Sequence, residues 1–341
     1  MLSWTLRLLT ALLVLLPAIA SAAPAKLKLS FFTSDGSIAY QMAIKPFVDA
    51  VNREGKGVIE IEVYFSGALG RVQRELPQQV LSGVADIAFI VPGQNPQLFT
   101  DNAAVELPGL FRDAREATLT HTRLIAAGAL AGYQDFFVIG AYGTAPEIVT
   151  SRKPVASLAD LKGQKIRVNN ATEAKAVVSL GATPVLLAFN EASTAIAAGT
   201  IDGATVPAAQ LFDVGFGSLT TYHYLLGTSS APLALVMNRK VFDGLPPEAR
   251  DLIVKYSGEW TAEKYIASYA AFEKAVSDRI TTDQRRTVVT PSPADRNSAQ
   301  SAFKKIVEDW AGADAHHKQL LALTETALAK IRADKPTETA H

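Results

Sequence analysis

Apolar and polar positions alternate in short blocks along most of the chain. Residues 26–32 (KLKLSFF) alternate Lys with Leu and then turn wholly apolar, which predicts a strand. A polar turn over 33–37 leads into helical spacing at Met42, Ala43, Phe47, Ala50 and Val51. Pro46 sits inside that pattern and is expected to kink or interrupt it. Residues 58–65 (VIEIEVYF) alternate apolar and acidic residues, as a half-buried strand does. Helical spacing returns at Val72, Leu76, Gln79 and Val80, stopped by Ser82-Gly83. Residues 86–91 (DIAFIV) then form an apolar run suited to a strand buried on both faces.

A second unit repeats the pattern. It predicts strands at 165–168, 183–187 and 202–206, with helices at 172–180 and 191–198 between them. Strands alternating with helices predict an α/β fold with a largely parallel sheet. Residues 82–88 (SGVADIA) and 198–204 (AGTIDGA) echo each other as helix end, Gly, two residues, Asp, strand. One copy in each half suggests two lobes of related architecture. The C-terminal third reads as helical. Leu252, Tyr256, Trp260, Tyr265, Tyr269, Phe272, Val276 and Ile280 recur at helical spacing after Pro246-Pro247. As one helix of ~33 residues this is a rod of roughly 50 Å. A lobe of ~150 residues is only about 30 Å across, so the rod is expected to run along both. The alternative is two helices broken near Gly258.

Composition narrows the chemistry. Lys plus Arg equals Asp plus Glu at 33 each, so no net charge draws the chain to nucleic acid. There is no Cys, which excludes disulfides, thiol nucleophiles and zinc–cysteine sites. The five His fall in no metal-binding spacing, and neither a metal nor a cofactor is expected. His121 reads as a surface or packing residue, and His223 as structural or at a rim. Residues 1–23 read as an export signal: Arg7, an apolar run over 8–16, Pro17, then Ala20-Ser21-Ala22 as a cleavage site. The apolar core is too short to span a bilayer. The expected mature chain starts near Ala23 and is periplasmic.

No nucleophile elbow, Walker loop or dinucleotide fingerprint is present. The informative residue is Arg167. It alternates with Ile166 and Val168 at the end of a buried-looking strand, just before a helix. A buried charge needs a partner. A strand-end Arg beside a helix N-terminus suits a ligand carboxylate. An internal salt bridge to Glu173 or Glu147 is the other reading.

These segments resemble the DctP-like solute-binding subunits of tripartite ATP-independent periplasmic (TRAP) transporters. The similarity is carried by residues 65–70 (FSGALG), 83–86 (GVAD), 107–111 (LPGLF), 161–168 (LKGQKIRV), 180–184 (LGATP), Asp202-Gly203 and 245–248 (LPPE), in the family's order. The resemblance implies a two-lobed α/β periplasmic binding protein with a long helix spanning both lobes. Lobe I would hold 26–143 and 230–272, lobe II 144–229 and 273–325, with 326–341 a flexible tail. An organic carboxylate would bind in the interlobe cleft, and Arg167, in the family's arginine motif, would pair with it. The chain would act as a monomer, without enzymatic activity, and deliver its ligand to TRAP membrane permease subunits. A sensory protein feeding a receptor, or a periplasmic enzyme acting on a carboxylate, are the competing readings.

Departures from the family pattern shape the expected pocket. Ala145-Pro146 stand where many relatives carry a second Arg, and Val206 where sialate-type relatives place Asn. Val91-Pro92 and Phe32 replace polar residues. The expected ligand is therefore a monocarboxylate with an apolar or aromatic body, with C4-dicarboxylates the rival class. Phe32, Val91, Phe189, Val206 and Phe212 are the apolar candidates, and Asn170 and Gln210 the neutral hydrogen-bonding ones.

Overall fold

The computed structural model describes residues 23–334. The expected signal, but for its last residue, and the final residues 335–341 lie outside it. The chain runs β1 (Ala25–Ser30), α1 (Lys45–Glu54), β2 (Ile59–Tyr64), α2 (Leu76–Leu81), β3 (Ile87–Ile90), α3 (Ala114–Ala126) and β4 (Phe136–Gly143). It crosses to β5 (Ile148–Ser151), β6 (Lys165–Val168), α4 (Ala171–Ser179), β7 (Thr183–Leu186), α5 (Phe189–Ala197), β8 (Gly203–Val206), α6 (Phe216–Leu219) and β9 (Tyr222–Tyr224). It returns through β10 (Pro232–Asn238), α7 (Arg239–Asp243), α8 (Pro247–Lys255) and α9 (Glu259–Thr282). It ends with β11 (Thr287–Val289), α10 (Pro293–Ala311) and α11 (Ala315–Ala333).

The strands form two sheets, one per lobe, ordered β2-β1-β3-β10-β4 and β11-β9-β5-β8-β6-β7. Each builds its own core. In the first, Leu29, Phe31, Ile87 and Phe89 pack under α1 and α9. Both sheets are mixed rather than largely parallel. β1, β2 and β3 run parallel, but β10 enters antiparallel between β3 and β4. Likewise β5 pairs antiparallel with β8 and β9, while β6 lies parallel to β7 and β8. The antiparallel partners are the strands that enter or leave each lobe at a crossover, which the alternation of elements does not reveal.

The echoed Gly-x-x-Asp segments do the same work twice. Gly83 and Gly199 take positive φ values of 78° and 74°, turning the chain from helix to strand. Asp86 Oδ2 then accepts the Lys28 N–H of the neighbouring strand at 2.7 Å. Asp202 Oδ2 accepts the Lys165 N–H at 2.9 Å. In each case the Asp backbone N–H donates back to the same Lys carbonyl, at 2.9 and 2.7 Å.

Pro46 falls in the first turn of α1, where its missing N–H is tolerated, and a π turn over Tyr40–Ile44 precedes it. The expected single C-terminal rod is two helices, α8 and α9, divided at Gly258 with φ 63° and ψ −126°. Even so, the 24 residues of α9 bridge both cores. Tyr265 and Tyr269 pack into the first, Val276 and Ile280 into the second. Two strand crossings run side by side between the lobes. Thr144 N–H donates to the Ala231 carbonyl at 3.1 Å, and Glu147 N–H to that of Ser229 at 2.9 Å.

The last helices straddle the lobes as well. Ala299 and Phe303 of α10 sit in the second lobe's core. Residues 326–333, expected within a tail, instead complete α11, which lies on α3. Arg332 donates to both carboxylate oxygens of Glu116 at 2.8 Å, and Ile331 is fully buried. His316 Nε2 lies 2.8 Å from Asp101 Oδ1 at the helix's other end.

Candidate functional site

A cavity lies between the lobes, at the ends of β1, β3 and β8. It is walled by Phe32, Phe89, Val91 and Leu233 from one side and by Phe189 and Pro207 from the other. Its volume is only ≈30 Å³, so the two walls lie close together. Phe32 stacks on Phe89 at 6.3 Å between ring centroids. Phe189 meets Phe216 edge-on at 5.1 Å. Polar side chains interrupt the apolar wall: Thr33 and Gln73 from the first lobe, Glu147, Asn169, Gln210 and Asp213 from the second.

Arg167 lies directly behind this wall, fully buried. Its Nε donates to the Leu187 carbonyl at 3.0 Å and Nη1 to the Thr205 carbonyl at 3.4 Å, while Nη2 donates to Asn169 Oδ1. Three of about five N–H donors are thus engaged. The guanidinium carbon sits 5.7 Å from the Phe189 ring centroid. Among the described residues, no ion pair within 4 Å involves Arg167. The internal salt bridge is therefore not formed in the direct sense.

Instead Asn169 mediates. Its Nδ2 donates to Glu147 Oε1, and its backbone N–H donates to Glu173 Oε2 at 2.8 Å. Thr228 Oγ1 donates to Glu173 Oε1 at 3.2 Å. Burial, then the Glu173 charge, holds the Glu147 carboxyl well above the usual carboxylate range. Burial also raises Glu173, against the Asn169 N–H and Arg167. Burial lowers the Arg167 pKa, and the Glu147 and Glu173 charges oppose it. The result is a buried cluster of one cation and two carboxyl groups touching the cavity through Asn169 and Glu147.

The sequence-derived candidates divide. Phe32, Val91, Phe189 and Gln210 line the one cavity. Asn170 caps α4, accepting the Glu173 N–H at 2.8 Å, and Val206 lies wholly inside the second lobe's core. Phe212 is turned away under two guanidinium groups, with Arg279 3.5 Å and Arg286 5.0 Å from its ring centroid. His121 is a packing residue, fully buried with Nδ1 3.0 Å from the Tyr142 carbonyl. His223 is likewise buried, against Thr150 at 2.9 Å.

Sequence reasoning missed Thr33, Gln73, Phe89, Asn169 and Asp213 as wall residues and weighed Glu147 only as a salt-bridge partner. Gln73 did carry a signal. It shares a helical face with Leu76 and Val80 at i, i+3, i+7, a neutral amide on an apolar stripe. Asp213 had none. Its Oδ1 accepts the Ile38 N–H at 2.9 Å across the cleft, between residues far apart in sequence.

Residues 29–313 match the family described as bacterial extracellular solute-binding protein, family 7, or DctP. The chain belongs to this family. It is a TRAP-type solute-binding protein, and the family is one of substrate-binding transport components rather than of enzymes. It is 28% identical over 254 residues to the 2,3-diketo-L-gulonate-binding periplasmic protein YiaO of Escherichia coli (strain K12), covering 70% of this chain and 74% of that one. Two solved structures are similar throughout. One, from an unidentified marine microbe, is a TRAP solute-binding protein specific for aromatic acids, in complex with metahydroxyphenylacetate. It has a TM-score of 0.83 and 26% identity, covering 91% of this chain and all of that one. The other, from Rhodoferax ferrireducens T118 with copurified benzoate, has a TM-score of 0.81 and 26% identity, covering 91% and 99%.

Proposed function

We propose that this chain captures a small monocarboxylate with an apolar or aromatic body in the interlobe cavity and hands it to TRAP membrane permease subunits from the periplasm. The observation carrying this reading is the composition of the cavity. Aromatic and aliphatic side chains from both lobes form most of its wall, and one buried guanidinium, Arg167, stands behind Phe189 and Asn169 of that wall. No Lys or Arg is among the described lining residues. Arg167, with N–H donors to spare, supplies charge-assisted bonds to the ligand carboxylate. Phe32, Phe89, Val91 and Phe189 cover the body. The ligands of the two aromatic-acid-binding neighbours support the same class.

Competition in one thermal-shift assay tests it. Benzoate-like and branched oxo acids are set against succinate, malate and sialate. A ligand at 100 times its Kd adds about 2.7 kcal/mol, a clear rise in melting temperature. The first group is expected to give it. A rise with the dicarboxylates or sialate alone would overturn the apolar-pocket reading.

A further inference from the structure

The cavity wall holds polar atoms that nothing in the fold satisfies. Gln73 is 3% exposed, yet neither Nε2 nor Oε1 has a partner among the described residues. Thr33 Oγ1 is likewise without a partner, while the Glu147 carboxyl has only the neighbouring Glu173, Thr205 and Asn169 side chains, and all three residues line this one cavity. Native proteins seldom leave buried polar groups unpaired, and several in one place call for a common partner.

The placement of the three indicates that partner's shape. Glu147 sits beside Asn169, the residue that holds Arg167, so its side of the cavity is the carboxylate end. Gln73 and Thr33 come from the other lobe. Gln73 belongs to the helical turn Gln73–Glu75, and Thr33 follows β1. An amide offers a donor and an acceptor together, which suits a neutral group that can also do both. Carbonyl or ether oxygens would leave Oε1 unmet, and a second carboxylate would face it with like polarity. A hydroxyl satisfies either atom.

We propose that Gln73 is a specificity-determining residue that reads a hydroxyl group on the ligand, so that the preferred ligand is a hydroxylated carboxylate. The assignment rests on carboxylate capture in this cavity. It deepens that reading by adding one polar feature to an apolar body. Sites built to bond a hydroxyl reject analogues lacking it far more strongly than apolar pockets reject an added methylene, because the site's own groups are then left unpaired.

Matched acids differing by one hydroxyl provide the test, measured by titration calorimetry on the chain lacking residues 1–22. The pairs are phenylacetate with mandelate, benzoate with 3-hydroxybenzoate, and succinate with malate. At least one hydroxylated acid is expected to bind tighter than its partner, by roughly tenfold or more. In Gln73→Leu, and in Gln73→Met as a second variant, that ratio is expected to fall toward one. The variants without ligand are expected to melt no lower than the parent, since they remove an unpaired buried amide. A ratio near one for every pair, no binding by any, or a ratio that survives both substitutions would overturn the proposal. So would a marked fall in melting temperature in both variants, the mark of an amide that serves the fold. If succinate and malate alone bind but still show the Gln73-dependent ratio, the hydroxyl assignment stands and the apolar-body reading fails.

Discussion

At the scale of single residues, the proposed site turns on Arg167 and the carboxyl groups around it. Arg167→Lys keeps the charge near Glu147 and Glu173 but loses the planar fork that holds a carboxylate by two parallel bonds. Affinity for the ligand is expected to fall tenfold or more, about 1.4 kcal/mol or above, with an unaltered circular-dichroism spectrum. Equal affinity in titration calorimetry would remove Arg167 from the site. Glu106 gives a separate signature in stability. Burial first, with the charge of Glu173 adding to it against hydrogen bonds from Asn102 and Thr172, raises its pKa to about 7. The folded chain then holds a proton between roughly pH 4.5 and 7 that the unfolded chain releases. Stability contributed here falls as pH rises through that window and levels off above it. By the linkage relation the loss is about 3 kcal/mol. Glu106→Gln keeps an acceptor for Asn102 and removes the titration. Chemical denaturation from pH 4.5 to 8 should show the parent losing ground to the variant. Parallel pH profiles would mean Glu106 is not held neutral. Phe32, Val91, Phe189 and Gln210 were legible beforehand because each lies close to the end of a strand that the pattern predicts. Glu147 and Asp213 were not legible as wall residues, because local spacing does not say which loops from distant parts of the chain meet.

At the scale of elements, local pattern was a good guide wherever one element carries its own signal. β1, β2, β3, β6 and β8 and helices α4 and α5 lie within about two residues of their predicted spans. Strands β4, β5, β9 and β10 were not predicted. They are buried at the crossovers and so lack the alternation that marks a half-exposed strand. The split at Gly258 was readable only as an alternative, since apolar spacing continues across it while the backbone takes a conformation suited to glycine. The doubled Gly-x-x-Asp segment was legible as a repeat, but its purpose emerges only from the structure. Each Asp ties the start of its strand to the parallel neighbour through that neighbour's backbone N–H. Asp86→Ala leaves the Lys28 N–H without this acceptor and is expected to cost about 1–3 kcal/mol. Asp86→Asn keeps an acceptor and should cost less. Urea titrations of the two variants would show this order, and equal midpoints would mean that the clasp contributes nothing.

At the scale of the whole molecule, the lobes are joined by several elements and bridged by a side-chain contact. The paired crossings at 143–148 and 228–232, α9, and the α10–α11 hairpin all pass between lobes. A further link lies beside α9, which packs on the turns Tyr40–Ile44 and Ala208–Gln210: there Asp213 accepts the Ile38 N–H. Burial raises the Asp213 pKa, and the Ile38 and Ala39 N–H groups oppose that rise. We expect capture to open and shut the lobes, in which case the ligand's apparent affinity scales with the fraction of molecules able to close. Asp213→Ala removes this carboxylate's bonds to the Ile38 and Ala39 N–H groups of the opposite lobe while leaving the aromatic wall in place. The variant is expected to bind the same ligand several-fold more weakly, with most of the loss in a faster off-rate. Solution scattering separates this from simple damage to the pocket. At saturating ligand, parent and variant should both contract relative to their ligand-free curves. Without ligand, the variant should have the larger radius of gyration. If the parent's curves with and without ligand superimpose, lobe closure is not part of capture, and the Asp213 contact is a fixed strut between lobes that do not move.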